Sequence, residues 1–530
     1  MGTWVVFLPE IVLVAAALTS AILGFVVGKR TQILWGWALA TLLVSMFLTF
    51  DMMGLGVTRL LGLNLYEVPV IGAAGGSGDF TATWKLRVDT FTLFFHIVFM
   101  FVALLAVIAS RSFIKPEEPH QGEYYCLLFL AVVGMMLTAA ATDLFVLYLA
   151  FELSSISTFA LVAYRKKDKQ SAEAALKFFV IGAVSSAIIL FGISIVYGVA
   201  GSTSIAGVGQ SLTDLKVLQT GLKFPAVRPM EPPLIVAIVF LLAGFGFKVA
   251  VVPFHMWAPD VYQGAPTTIT TFLAAGSKKV GLVALFKVFL VGLLSIQIDW
   301  VAAVAVLAIV TQVVGNLFAI PQRNLKRMLA YSSIAQVGYI LIAVAVGSVA
   351  AGGTDADKAV AAVALLGGMY HILTHAIMKG GAFLVVGATA SAGIGEELSD
   401  YRGLSRRMPF AAGAMAIFLL SLAGIPPFGG FFSKFVLFSS AINAMPYNPW
   451  FLVLAVSGVL NSALSLYYYA RVIWYMWVLD PPEGATTRVP MGRSMTAAIA
   501  IAFVMIWVTG IFAFPFISYL QGAAGTFFGP

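Results

Sequence analysis

Ten ionisable side chains lie inside otherwise apolar runs: Glu152, Lys177, Lys248, Lys278, Lys279, Lys287, His371, His375, Lys379 and Lys434. An ionisable group at bilayer depth costs about 2.5 to 3.5 kcal/mol on insertion scales, so it is by default a functional hypothesis. Ten such groups are affordable only if they pair or share a wet interior, and the chemistry they can then do together is proton exchange. A buried ammonium is destabilised by desolvation and restored by a nearby carboxylate, so the distance to Glu152 is expected to decide whether Lys248 holds its proton. His371 and His375 stand four apart on one helix face. That spacing can bind zinc, but with no acidic third ligand nearby a proton relay or a hydrogen-bonding role is expected.

Snorkelling to the interface competes with these roles. Lys287 and Lys379 are expected to snorkel, while Lys279 is evenly divided between the two fates. Lys278 and Lys279 are adjacent and project about 100° apart, so only one of them is expected to face a common path.

Two of the lysines accompany broken helices. In FGFKVAVVPFHMWAPDVYQGAP, Pro253 follows Lys248; in LAGIPPFGGFFSKF, Pro426, Pro427, Gly429 and Gly430 precede Lys434. Proline frees a backbone carbonyl that lipid cannot satisfy, so such breaks belong where protein or water lines a cavity. A pair of interrupted helices in two halves of a chain is the usual pointer to a transport pathway.

The composition agrees. Of 530 residues, 61% are hydrophobic and only 10% charged, against about 25% charged in soluble domains. An all-α polytopic membrane protein is predicted. A single cysteine, Cys126, is too few for a disulfide framework, a zinc site or an iron–sulfur cluster, so no cofactor is expected in this chain and electron chemistry is expected elsewhere. The net charge of +8 comes from short basic clusters between apolar runs. It reads as topology information, and no nucleic-acid partner is expected.

Crossing about 30 Å of hydrocarbon takes roughly 20 apolar residues. On that measure about fourteen transmembrane helices are predicted, near 4–28, 32–51, 88–110, 123–142, 143–164, 171–199, 234–253, 266–294, 299–320, 327–350, 359–388, 409–438, 449–479 and 493–520. The first run lacks a small-residue cleavage signal and is read as a retained helix. Segments 52–87 and 200–233 are expected to be outer loops, and the run IGAAGGSGDF a surface loop, since it lacks the strand–turn–helix context of a phosphate site. With the amino terminus outside, inner segments hold 17 of the Lys and Arg residues and outer ones 7, so both termini are predicted on the outer face.

The segments LPEIVL, LYLAFELSSISTFALVAYRK, EAALKFFVIGAVSSAIILFGISIVYG, FKVAVVPFHMWAPDVYQGAPT, AGSKK and SLAGIPPFGGFFSKF resemble, over nearly the whole chain, the N-type antiporter-like subunit of respiratory complex I. The resemblance implies a fourteen-helix fold with two inverted five-helix repeats and broken helices seven and twelve. It divides the chain into 1–122, 123–294, 295–480 and 481–530. It implies proton movement coupled to electron transfer in partners, and carries roles onto Glu152, Lys248, Lys278 and Lys434, with Lys177 near the charged pair. YHILTHAIMK in the eleventh helix is more similar to the sister M-type, or to the D-type subunit of multisubunit cation/proton antiporters. Implied partners are the M-, L-, K-, A-, J- and H-type membrane subunits and a peripheral arm carrying flavin, iron–sulfur clusters and quinone, in a prokaryotic plasma membrane. The electron donor stays open among NADH, reduced deazaflavin and ferredoxin. The alternatives are a subunit of a cation/proton antiporter working without redox partners, and a non-pumping membrane scaffold.

Overall fold

In a computed structural model, residues 3–28, 31–55, 80–82, 85–115, 118–221, 232–484 and 487–528 are described. Among them, twelve helices are long and apolar enough to cross a membrane, and the protein is a multi-pass membrane protein. The amino-terminal part holds α1 (Leu8–Val27), α2 (Thr31–Phe50) and α3 (Thr90–Phe113), the last preceded by a small antiparallel hairpin that pairs Phe80 with Val88. There follow α4 (Gln121–Ala140), α5 (Leu144–Val162), α6 (Lys169–Ala200) and α7 (Ile205–Gly221). An interrupted pair, α8 (Pro232–Val249) and α9 (Trp257–Gly264), leads into α10, residues 267–292. The remainder comprises α11 (Val301–Ala319), α12 (Leu325–Gly347), α13 (Asp355–Ser391), α14 (Pro409–Ala423), α15 (Gly429–Asn443), α16 (Trp450–Trp477), α17 (Arg493–Ile511) and α18 (Ala513–Phe527).

Polar residues mark where these helices begin. Asp89, Asp143, Asp168, Asn324 and Thr354 each accept a hydrogen bond from a first-turn backbone N–H, satisfying donors that the helix itself leaves free. Asp143 explains how α4 and α5 meet with only three residues between them. Close approach of neighbours rests on small residues. A Cβ added at Gly134 would lie 2.5 Å from the backbone nitrogen of Ser154, and one at Gly315 would lie 2.5 Å from that of Ala335. These two glycines let α4 meet α5 and α11 meet α12 backbone to backbone.

Burial sorts the helices into an interior and a rim. The most apolar stretch of α12 is 94% buried, whereas those of α6, α11 and α16 are 33% buried. The rim faces expose Leu176, Phe179, Val184, Val306, Leu460 and Tyr467, as lipid contact requires. In α10 every residue from 267 to 290 is buried, so α10 is an interior helix with no face left for lipid.

The structure departs from the sequence reading in three places. Segment 200–233 is not all loop, because Ile205, Val208 and Leu212 recur at helical spacing and bury one side of α7. The span expected at 266–294 is α-helix interrupted by π-turns at Leu273–Ser277 and Val288–Gly292. Within 409–438 the chain forms two fifteen-residue helices, α14 and α15, with Pro426 and Pro427 between them. The span expected at 493–520 divides at Phe512, since Pro515 can neither donate to the carbonyl of Ile511 nor fit its ring beside it. The run IGAAGGSGDF up to Asp79, with Arg59, Lys223 and Arg228, lies outside the described residues.

Candidate functional site

Lys248, Lys278, Lys279, His371, His375, Lys379 and Lys434 are buried in the interior, on α8, α10, α13 and α15. On one side, Lys248 is the penultimate residue of α8 and is buried. Its Nζ donates to Ser155 Oγ at 2.8 Å and lies 5.3 Å from the centre of the Phe151 ring. Glu152 sits next to Phe151 on α5, and nearby the Ser186 hydroxyl meets that of Tyr148 at 3.2 Å. Glu152 and Lys248 interact electrostatically, but among the described residues no ion pair within 4.0 Å joins them. Lys248 Nζ instead reaches Phe151 and Ser155, which flank Glu152 on α5.

Lys248 packs its stem against Gly281 of α10, where a Cβ would come 3.3 Å from that of Lys248. One turn earlier on α10 stand Lys278 and Lys279, immediately after the π-turn at Leu273–Ser277. Both are buried, because α10 is enclosed on every side. They point to different partners. Lys278 lies 5.0 Å from the ring centre of Tyr262 and 6.0 Å from that of Trp257, a cation–π arrangement. Lys279 donates to the carbonyl of Ala274 and stands 2.7 Å from Nδ1 of His375, both at hydrogen-bond distance.

His375 and His371 follow one another on α13 with ring centres 6.3 Å apart. His371 meets Gln336 Oε1 at 2.8 Å and Ser433 Oγ at 3.0 Å. The Gln336 amide donates to the carbonyl of Leu422, and that same carbonyl accepts from Lys434 Nζ at 2.6 Å. Lys434 also donates to Ser462 Oγ. Leu422 lies in the last turn of α14, so the helix break presents an unpaired carbonyl and the negative end of a helix dipole to the ammonium. From Lys279 to Lys434, therefore, polar side chains and one backbone carbonyl follow each other, with the single wider step between the two imidazoles.

Two expectations need correction. Lys177 is not among the buried groups and does not join Glu152 and Lys248. Its side chain is 42% exposed and pairs with Glu173 at 2.8 Å and Asp260 at 2.9 Å, because it lies two turns from the start of α6, beside α9. Lys379 does not snorkel. It is fully buried, donating to the carbonyl of Leu329 and to Ser332, whose hydroxyl meets Tyr469. Lys287 is buried too; it lies near the end of α10, donates to the carbonyl of Ala141 and lines a pocket of about 140 Å³ with Arg87 and Asp89.

One buried pair of titratable groups was missed. His96 Nε2 lies 3.4 Å from Glu10 Oε1, both groups being buried between α1 and α3. The signal was available, since Glu10 in LPEIVL and His96 in FFHIVF are ionisable residues in apolar runs, the same criterion that singled out the others. The hydroxyl and amide partners Ser155, Ser332, Gln336, Ser433 and Ser462 carried no such signal, because uncharged polar residues are common in membrane helices.

The NADH:quinone oxidoreductase/Mrp antiporter transmembrane family matches residues 141–462. The F420H2 dehydrogenase subunit N of Methanosarcina mazei is 43% identical over 528 residues, covering 97% of each chain. The NADH-quinone oxidoreductase subunit N of Moorella thermoacetica is 39% identical over 87% of this chain and 93% of its own. A chain of respiratory complex I from Thermus thermophilus superposes with a TM-score of 0.74 at 27% identity, over 97% of this chain and 100% of that one.

Proposed function

The chain belongs to the NADH:quinone oxidoreductase/Mrp antiporter transmembrane family, and on that premise we propose that it is a proton-translocating membrane-arm subunit of a complex I-type quinone oxidoreductase. It contributes no redox centre. Flavin, iron–sulfur clusters and quinone belong to partner subunits, and the relatives' names leave the donor open between NADH and reduced deazaflavin. The chain lies in a prokaryotic plasma membrane with both termini outward, and its two halves, 123–294 and 295–480, act as inverted repeats around interrupted helices.

The working groups are Glu152, Lys248, Lys278, His371, His375 and Lys434, to which the packing adds Lys279. A charge change in a neighbouring subunit alters the hold of Glu152 on Lys248, and the released proton moves by way of Lys278 or Lys279 and the histidines to Lys434. The energy scale is sufficient. One pKa unit is worth about 1.4 kcal/mol, and moving a charge through 100 mV costs about 2.3 kcal/mol. Shifts of two to four units lie within the range known for buried lysines.

The observation that carries this reading is the succession Lys279, His375, His371, Gln336, Leu422 carbonyl and Lys434, which gives a proton short steps through an otherwise apolar interior. The test is the purified complex in liposomes. Acidification driven by quinone reduction should collapse when Lys279, His375 and Lys434 are each replaced, while electron transfer continues at a reduced rate. Sodium-dependent proton exchange with no redox subunits present would instead favour the antiporter.

A further inference from the structure

The eight-residue helix α9 separates two polar environments. At about 100° per residue, Asp260 and Gln263 lie opposite Ala258 and Tyr262. The side bearing Trp257, Ala258, Val261 and Tyr262 is buried, while Asp260 and Gln263 are partly exposed. On the buried side, Trp257 and Tyr262 cover Lys278. Lys278 Nζ and the Tyr262 hydroxyl are both buried without a hydrogen-bond partner among the described residues. Buried polar groups are almost always satisfied, commonly by internal water, so this spot is suited to a small hydrogen-bonding occupant.

On the other side, α9 forms the wall of an open cleft of about 230 Å³ lined by Glu173, Lys177, Asp260, Gln263, Gly264 and Arg327. Asp260 is its centre. One carboxylate oxygen accepts from Lys177 of α6 at 2.9 Å and the other from Arg327 of α12 at 2.6 Å, and Arg327 also donates to Gln263. Phe178, the neighbour of Lys177, stacks on Trp257 with ring centres 4.5 Å apart. Two adjacent residues of α6 thus hold α9 from both of its sides. The ends of α9 hold it less firmly, since residues 250–256 and 265–266 are not helical. The cleft neighbours the basic clusters 165–169 and 323–327, which places it at the inner surface.

We propose that Asp260 is a positioning residue that sets access to Lys278: its paired contacts with Lys177 and Arg327 hold α9, and with it the rings of Trp257 and Tyr262, between the inner-face cleft and the buried ammonium. Loosening the clasp lets α9 swing and opens the short way from cleft to lysine, through which a proton is taken up. This rests on the reading of Lys278 as a proton carrier.

The test measures access directly. In the assembled complex, in inside-out vesicles, Lys278→Cys is modified by a membrane-impermeant methanethiosulfonate in a Cys126→Ser background and followed by peptide mass spectrometry of this chain. Asp260→Asn should raise the modification rate at least tenfold, Asp260→Glu should return it toward the starting value, and Lys434→Cys should be unaffected by either. An unchanged Lys278→Cys rate in assembled Asp260→Asn overturns the proposal. Should Asp260→Asn fail to assemble, Arg327→Lys, which loses the shared contact with Gln263, must give a smaller rise, and no rise overturns the proposal equally. Lys278→Ala separates the two readings. Full pumping by that variant together with Asp260-dependent access removes Lys278 as a carrier and leaves the gate. Loss of pumping together with access indifferent to Asp260 removes the gate alone.

Discussion

Lys279 Nζ stands 2.7 Å from Nδ1 of His375, and the geometry constrains which of the two holds a proton there. An ammonium can only donate, so Nδ1 must accept and the imidazole is neutral with its proton on Nε2. Protonating both groups would set two positive charges in contact in a medium that screens them poorly. The pair therefore shares one excess proton between its members, a property useful in a relay and of no value to a scaffold.

Replacing Lys279 with Ala or His375 with Leu should each lower redox-driven acidification by about tenfold or more, equivalent to about 1.4 kcal/mol on the rate-limiting step. The double variant should do little further harm, because the two residues act as a unit. Acidification traces on reconstituted complexes, normalised to quinone reduction, read this out. Additive losses would assign the residues to separate steps.

Lys248 contacts Phe151 and Ser155, the residues beside Glu152 on α5, and among the described residues it forms no ion pair with Glu152 itself. Glu152→Gln keeps the shape and hydrogen-bonding capacity while removing the charge, so its effect isolates the electrostatic contribution. Pumping should fall sharply in both Glu152→Gln and Lys248→Ala, whereas Ser155→Ala, which removes only a neutral partner, should cause a milder loss. Protons moved per electron are the measure, and near-normal ratios in the first two variants would exclude them from the mechanism.

Lys434 satisfies the carbonyl of Leu422 at the break between α14 and α15. Lys434→Met fills similar space but leaves Gln336 as the remaining partner of that carbonyl, and it should cost about 1 to 3 kcal/mol of stability in addition to blocking proton flow. Ser462→Ala should cost less, since the ammonium keeps its carbonyl partner. Thermal unfolding of the solubilised complex separates the structural loss from the functional one.

Asp143 lies outside the membrane-spanning segments and joins α4 to α5. Burial alone would raise its carboxyl, but hydrogen bonds from Lys85, Thr203 and the backbone of Val146 and Phe145 hold it below the ordinary value of 3.8. A carboxyl lowered by folding stabilises above its unfolded value, and the contribution is lost as pH falls through the lower folded value. Asp143→Asn should thus reduce the stability of the complex at neutral pH, and by progressively less as pH falls below the ordinary value of 3.8. Melting temperatures of the two proteins across that range should converge on acidification.

Much of this protein was legible in its residue types. Long apolar runs have one solution in lipid, the helix, and a charge inside such a run is conspicuous whatever it touches. The lysines and histidines of the interior and the breaks at Pro253 and Pro426 were accordingly readable from one dimension. Partnership was not. That Lys279 faces His375 while Lys278 faces Tyr262, that Lys177 pairs with Asp260 outside the interior, that Lys379 is enclosed and that Glu10 meets His96 were all decided by packing. Each depends on which faces of distant helices are brought together, down to where a glycine lets two backbones touch. A sequence states how costly a charge is to bury; only the assembled helices determine what it is buried beside.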